Sequence, residues 1–219
     1  MREHERFAPM RWTMLCAGAQ TVGVTVAASA GLLADSVFPA PRTSDATALA
    51  ILVVVVGGLV EGVALGTLQA SGLRRWLPAF NPRSWILITT LVAGLGWASA
   101  TVPTQLAQAE RLAEPPRGIV IIGGLAIGAL MGSVLGAAQA TVLHGVVPHP
   151  WRWIWISTVA WTPAVGIIFV GAALPRVDWP VPLTLGVAAL TGVSAGVVLG
   201  AVSGGFWPLL EEHVHRTLS

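Results

Sequence analysis

One glycine pattern occurs three times in this chain and constrains its fold more than any other feature. The copies read Gly58-x-x-x-Gly62-x-x-x-Gly66-x-x-Gln69, Gly128-x-x-x-Gly132-x-x-x-Gly136-x-x-Gln139 and Gly192-x-x-x-Gly196-x-x-x-Gly200-x-x-Ser203. Each lies in a long apolar stretch, and Leu65, Leu135 and Leu199 each precede the last glycine. At 100° per residue, the glycines and the Gln or Ser after them fall within about 80° of one another, so each helix has one smooth face with a polar end. Glycine-zipper faces of this kind let helix backbones approach closely. Gly62, Gly132 and Gly196 are about 70 residues apart, as are Arg11, Arg83 and Arg152. A period of that length implies units that bury their faces against their neighbours.

Hydrophobic residues make up 54% of the chain and charged residues 10%, against a usual charged share of about 25%. With a mean hydropathy of +0.75, a soluble fold cannot hide so much apolar surface. Six stretches are long enough to cross a hydrocarbon core of about 30 Å: Trp12 to Ala34, Ala46 to Leu73, Ser84 to Val102, Gly118 to Leu143, Trp153 to Leu174 and Leu183 to Trp207. The second exceeds that need, which predicts tilt or a first turn in the interface. The fold expected is an all-α integral membrane protein of six transmembrane helices, arranged as three tandem helical hairpins, about 11–75, 83–145 and 152–210, with pseudo-threefold symmetry. Helices two, four and six are expected to meet near the axis through their glycines. No residues remain for a separate soluble domain, so 1–219 reads as a single membrane domain.

The chain has no lysine, which excludes Schiff-base chemistry on a lysine. A pI near 9.9 comes from a net charge of only +2, spread over loops, and reads as membrane topology rather than nucleic-acid binding. Arg2, Arg6, Arg11, Arg74, Arg75, Arg83, Arg152 and Arg216 fall on one side, and Arg42, Arg111, Arg117 and Arg176 on the other. That excess places both termini in the cytoplasm of a bacterial inner membrane. A competing reading takes the N-terminus as a signal peptide cleaved near Ala28-Ser29-Ala30. Against it, Arg11-Trp12 opens the first span much as Arg83-Ser84-Trp85 and Arg152-Trp153 open the third and fifth. A lone Cys16 allows no intrachain disulfide.

Prolines 78, 82, 148 and 150 mark the inner loops, and prolines 39, 103, 116, 175 and 180 mark the outer ones. Gln105 to Glu114 is polar enough for a short interfacial helix. Trp76, Trp85, Trp151, Trp153, Trp155, Trp179 and Trp207 lie near predicted boundaries and read as interfacial anchors, with an aromatic ligand cage as the alternative. Pro163 is expected to kink the fifth span, with Trp161 and Gly166 at the bend.

Gly62, Gly66, Gln69, Leu73, Arg74 and Arg83 to Trp85 are matched in the next copy by Gly132, Gly136, Gln139, Leu143, Arg152 and Trp155. On these residues the chain resembles a loose group of uncharacterised small multipass bacterial membrane proteins that repeat Gly-x-x-x-Gly-x-x-Gln helices. The resemblance spans most of the chain and implies no activity. Ser203 replaces Gln in the third copy and His144 stands where the first has Arg74, so the units no longer do the same work.

Glu61 is the acid placed deepest, where the other copies hold Met131 and Ala195. An ionised carboxylate there is costly, so the group is neutral or well paired. It is a candidate for solute, ion or proton handling, or else a hydrogen-bonded structural carboxyl. Gln69, Gln139 and Ser203 form a candidate polar ring that either lines a path or bonds helices together, and Gln20, Ser133 and Ser194 read as packing groups. Arg74, Arg75, Arg83 and Arg152 set topology or meet anionic headgroups. His144, His149, His213 and His215 lack the spacing of a buried metal site, and neither metal nor cofactor is implied. No nucleophile–base set is visible. The function expected is a non-enzymatic membrane subunit or scaffold in contact with lipid and with a membrane-protein partner or second copy. The alternative is a small-solute or proton-linked transporter using Glu61. Tight glycine seams disfavour a broad pore on the axis.

Overall fold

The computed structural model describes residues 7–39, 42–109, 116–176 and 178–211. Arg2, Arg6, Arg111, Arg216, His213, His215 and the segment 110–114 lie outside the described residues. Six helices are long and apolar enough to cross a membrane. They are α1 (Pro9–Val37), α2 (Ser44–Trp76), α3 (Pro82–Ala109), α4 (Arg117–Leu143), α5 (Arg152–Ala172) and α6 (Val181–Gly205), followed by the short α7 (Pro208–Glu211). No strand occurs among the described residues.

Local chemistry sets the helix ends. Thr43 caps α2, its side chain accepting the Ala46 N–H at 3.3 Å, and Asp45 follows in the first turn. Arg74 and Arg75 occupy the last turn, where the helix dipole favours cations. Asn81 caps α3, its Oδ1 accepting the N–H groups of Arg83 (3.1 Å) and Ser84 (3.2 Å). Gly145, at φ 76°, makes the left-handed turn that reverses the chain after α4. One expectation about proline fails. Helix α3 runs through Pro103 to Ala109, taking in residues assigned to an interfacial helix, and α5 continues as one helix on both sides of Pro163. Apolar helices tolerate such prolines because neighbouring groups can satisfy the freed backbone carbonyl.

The helices form a ring in chain order: each packs on its sequence neighbours, and α6 closes onto α1. The α3–α4 seam is the thinnest of the six. Between 22% and 39% of each span is buried. Apolar stripes such as Leu49, Leu52, Val56, Val60 and Val63 on α2, and Leu87, Leu91 and Leu95 on α3, face outward.

The glycine faces do not meet at a central axis as expected. Each lies against the odd-numbered helix beside it. A Cβ on Gly62 would stand 2.7 Å from Thr90 Cα, and one on Gly66 would be 2.9 Å from Ile86 Cα, both on α3, while Gly58 lies under Trp97. Gly128, Gly132 and Gly136 press on α5, each within 3.0 Å of a Thr162, Ser157 or Ile154 backbone atom by the same measure. Gly192, Gly196 and Gly200 press on α1, each 2.5 Å from the Gln20, Ala17 or Thr13 backbone. The reason is steric: the glycines leave room for the odd helices' backbones, and at Gly58 for the Trp97 ring, to come into contact.

Candidate functional site

Where the even helices end in Gln, Gln and Ser, the odd helices begin with tryptophan, and the two sets bond. The Trp85 Nε1–H donates to Gln69 Oε1 (3.2 Å), that of Trp153 to Gln139 Oε1 (2.8 Å) and that of Trp12 to Ser203 Oγ (2.8 Å). Each glutamine then uses its amide N–H on the preceding odd helix, one turn past that helix's own tryptophan. Gln69 Nε2 reaches Cys16 Sγ at 3.7 Å, and Gln139 Nε2 reaches Thr89 Oγ1 at 2.9 Å. The corresponding group for α6 is Ser157, one turn past Trp153. Ser203 is too short to reach it, and Ser157 Oγ is buried without a hydrogen-bond partner.

These polar groups sit in an aromatic layer rather than on an open path. Trp12, Trp85 and Trp207 are fully buried, Trp153 is 2% exposed, and Phe7 stacks on Trp207 with ring centroids 4.5 Å apart. Trp153 touches Trp12, Trp85 and Trp207 at 6.3, 6.1 and 5.8 Å. Of the expected interfacial anchors, Trp76, Trp85, Trp153 and Trp207 are therefore core residues, because indoles with bonded or stacked partners pack well inside. Trp151 and Trp155 do face outward. Arg152 donates from Nη1 to the Leu209 carbonyl at 2.8 Å, tying α7 to α5, whereas Arg74, Arg75 and Arg83 are exposed at this same end.

Above the layer the ring is hollow. A cavity of about 240 Å³ lies between α2, α3, α4 and α5, with walls that include Glu61, Trp97, Met131, Trp161 and Phe169 and with Leu65 and Thr89 toward the aromatic layer. Polar atoms in its lining residues' side chains belong to Glu61, Thr89 and the indoles of Trp97 and Trp161 alone. Glu61 is 6% exposed, and its Oε2 accepts the Trp97 Nε1–H at 2.6 Å. Two glycines make room for this pair: the Glu61 side chain packs onto Gly23 of α1 and Trp97 onto Gly58, and a Cβ at either would collide. Gln20, one turn before Gly23, is fully buried and close enough to interact with the carboxyl. Neither of its amide atoms, however, makes a bond of proper hydrogen-bonding geometry.

Glu61 thus stands apart from Gln69, Gln139 and Ser203, which belong to the closed layer. Sequence reasoning missed Trp97 and Gly23. The available signal was position: Trp97 and Trp161 lie inside their spans rather than at the ends, and an indole there needs a partner for its N–H. Among the described residues the site holds one carboxyl and no second acid beside it, and that carboxyl can accept hydrogen bonds or carry a proton. Protein-family models, curated proteins and solved structures give no match to this chain.

Proposed function

We propose that this chain is a non-enzymatic, multi-pass subunit of the bacterial cytoplasmic membrane, with both termini cytoplasmic, that holds a small lipophilic molecule in its ring. The outward Leu and Val stripes supply a surface fit for lipid or a membrane-protein partner. The recurrent Trp–Gln/Ser bonds favour descent from a threefold hairpin repeat. One observation carries the binding reading: the ring is filled by aromatics at the end holding the termini and is hollow beside Glu61. A cavity blind on one side suits capture better than conduction, and the thin α3–α4 seam gives a lateral way in from the bilayer.

The glycine faces, which first favoured a scaffold, are occupied by the protein's own helices. A partner or second copy would therefore dock on the Leu and Val stripes. The transporter reading keeps one favourable observation, Glu61 in the cavity wall, but it requires the aromatic layer to open.

Ethylbenzene binding tests the proposal. A ligand about tenfold above its Kd stabilises the folded state by about 1.4 kcal/mol. Ethylbenzene should raise the melting temperature of the purified protein in neutral detergent and leave Val165→Phe, which fills the cavity, unmoved. Equal shifts in both proteins would place the effect in the micelle and end the binding reading.

A further inference from the structure

We infer that the cavity beside Glu61 takes a compact lipophilic amine, with the Glu61 carboxylate as its counter-ion and the aromatic wall around its apolar body. The inference rests on the binding reading above and adds the chemistry of the occupant.

Size comes first. An apolar cavity of about 150 Å³ accommodates benzene. At about 240 Å³, the space here suits one aromatic ring with a short arm. The wall is apolar except for Glu61, Thr89 and two indoles, so most of a ligand's surface must be apolar. Thr89 already accepts from Gln139.

Charge selects the head group. The chain has no lysine, and Arg74, Arg75, Arg83 and Arg152 lie beyond the aromatic layer, while Arg42 pairs with Asp35 at the opposite end. Among the described residues Glu61 makes no ion pair; the Trp97 indole is its well-formed hydrogen-bond partner, with the Gln20 amide close by. An acidic head would meet a carboxyl with no cation to separate them. A carbonyl head would find the Trp97 N–H already given to Glu61 and would leave the carboxylate without a counter-charge. An ammonium supplies both the charge and the donors, and aromatic faces such as those of Trp161 and Phe169 attract cations.

Gln20 gives the second, independent observation. A fully buried amide that lies against the carboxyl without a well-formed hydrogen bond costs stability until it gains one. When the carboxylate turns to an ammonium in the cavity, the Gln20 amide is placed to donate to it from behind. A free amine meeting a protonated Glu61 and an ammonium meeting an ionised one arrive at the same ion pair. The proton moves from carboxyl oxygen to amine nitrogen in the first case and no atom is left over, so the loaded cavity is neutral either way.

The test uses three near-isosteric probes, phenethylamine, phenethyl alcohol and ethylbenzene, titrated calorimetrically into the full-length protein in neutral detergent. The parent should bind the amine at least about tenfold more tightly than the alcohol, a gap of about 1.4 kcal/mol. Glu61→Gln should lose most of that preference while keeping its affinity for ethylbenzene, and Val165→Phe should lose all three ligands. Equal affinity for amine and alcohol in the parent, or an amine preference that survives Glu61→Gln, overturns the amine assignment and leaves the cavity reading standing. Failure of all three probes to bind the parent overturns both. Should Glu61→Gln fail to fold, the amine-to-alcohol ratio on the parent decides the matter alone.

Discussion

Gln139→Leu puts the aromatic layer to its most direct test. Leucine is similar in size to glutamine but carries no amide, so it strands two buried partners. These are the Trp153 indole N–H, 2.8 Å from Oε1, and the Thr89 hydroxyl, 2.9 Å from Nε2. An orphaned buried group costs about 1–3 kcal/mol in general. Measured interhelical bonds in a membrane average about 0.6 kcal/mol, with a maximum near 1.7. Thr89 has an escape, because its hydroxyl can turn to the carbonyl one turn earlier, as Thr90 does to Ile86. The Trp153 N–H, packed among other indoles, has none. The expected loss is therefore about 1.5–3 kcal/mol, most of it from the indole. Adding Thr89→Val to Gln139→Leu should cost under about 0.5 kcal/mol more, and Thr89→Val alone should cost visibly more than that, since only the parent still has the bond to lose. Gln69→Leu should cost less than Gln139→Leu, because its bonds are longer, at 3.2 and 3.7 Å, and one goes to a thiol. Unfolding by added SDS in mixed micelles, followed by tryptophan fluorescence, measures all four. A parent-like midpoint for Gln139→Leu, or strict additivity of the pair, would refute the bonding scheme.

Three further outcomes are expected. Gly132→Ala puts a Cβ 2.8 Å from the Ser157 carbonyl and should cost about 1–3 kcal/mol in the same unfolding assay, whereas Gly123→Ala, with nothing within 4 Å, should be close to neutral; equal effects would mean that the seam is not in contact. Ser203→Gln lengthens the side chain enough to serve both Trp12 and the orphaned Ser157 and should raise stability by about 0.5–1.5 kcal/mol, whereas destabilisation would mean that the α6–α1 interface cannot admit the longer group. In a Cys16→Ser background, Asp178→Cys should react with an impermeant thiol reagent added outside intact cells and Arg75→Cys only after lysis; the reverse pattern would invert the topology.

Much of the fold was legible because long apolar runs admit few alternatives. The six spans follow from length and composition, and the structure extends the first three beyond their expected ends, where Thr43, Asn81 and Arg74–Arg75 supply caps and charges. Which helices the glycines touch was not legible. Periodicity places Gly58, Gly62 and Gly66 on one face of α2, but the partner is chosen by the small groups opposite, Thr90, Ala93 and Thr89, which lie on a different helix and carry no motif of their own. Glu61 was readable from depth alone, since an acid amid valines and glycines stands out. Its setting was not, because Gly23, Gln20 and Trp97 come from two other helices and look like ordinary residues of apolar spans.

The differences between copies explain where the hollow lies. At the level of Gly62, Gly132 and Gly196, the preceding residue is Glu61, Met131 or Ala195. Ala195 is fully buried, and beside it Gly196 brings α6 so close to α1 that a Cβ would come within 2.5 Å of Ala17 Cα. Glu61 and Met131 are long side chains that both line the cavity, Glu61 where it packs against Gly23 of α1. The same glycine seam therefore holds three helix pairs, while the residue next to the central glycine decides whether the space beside that seam closes or stays open. Replacing Met131 with a smaller residue should enlarge the cavity without loosening the Gly132 seam, because the Cβ-free contact with Ser157 lies on the other side of that step along the helix. Met131→Ala should accordingly widen the range of apolar ligands the protein accepts, measured by alkylbenzene titration. An unchanged size limit would place the boundary of the cavity elsewhere.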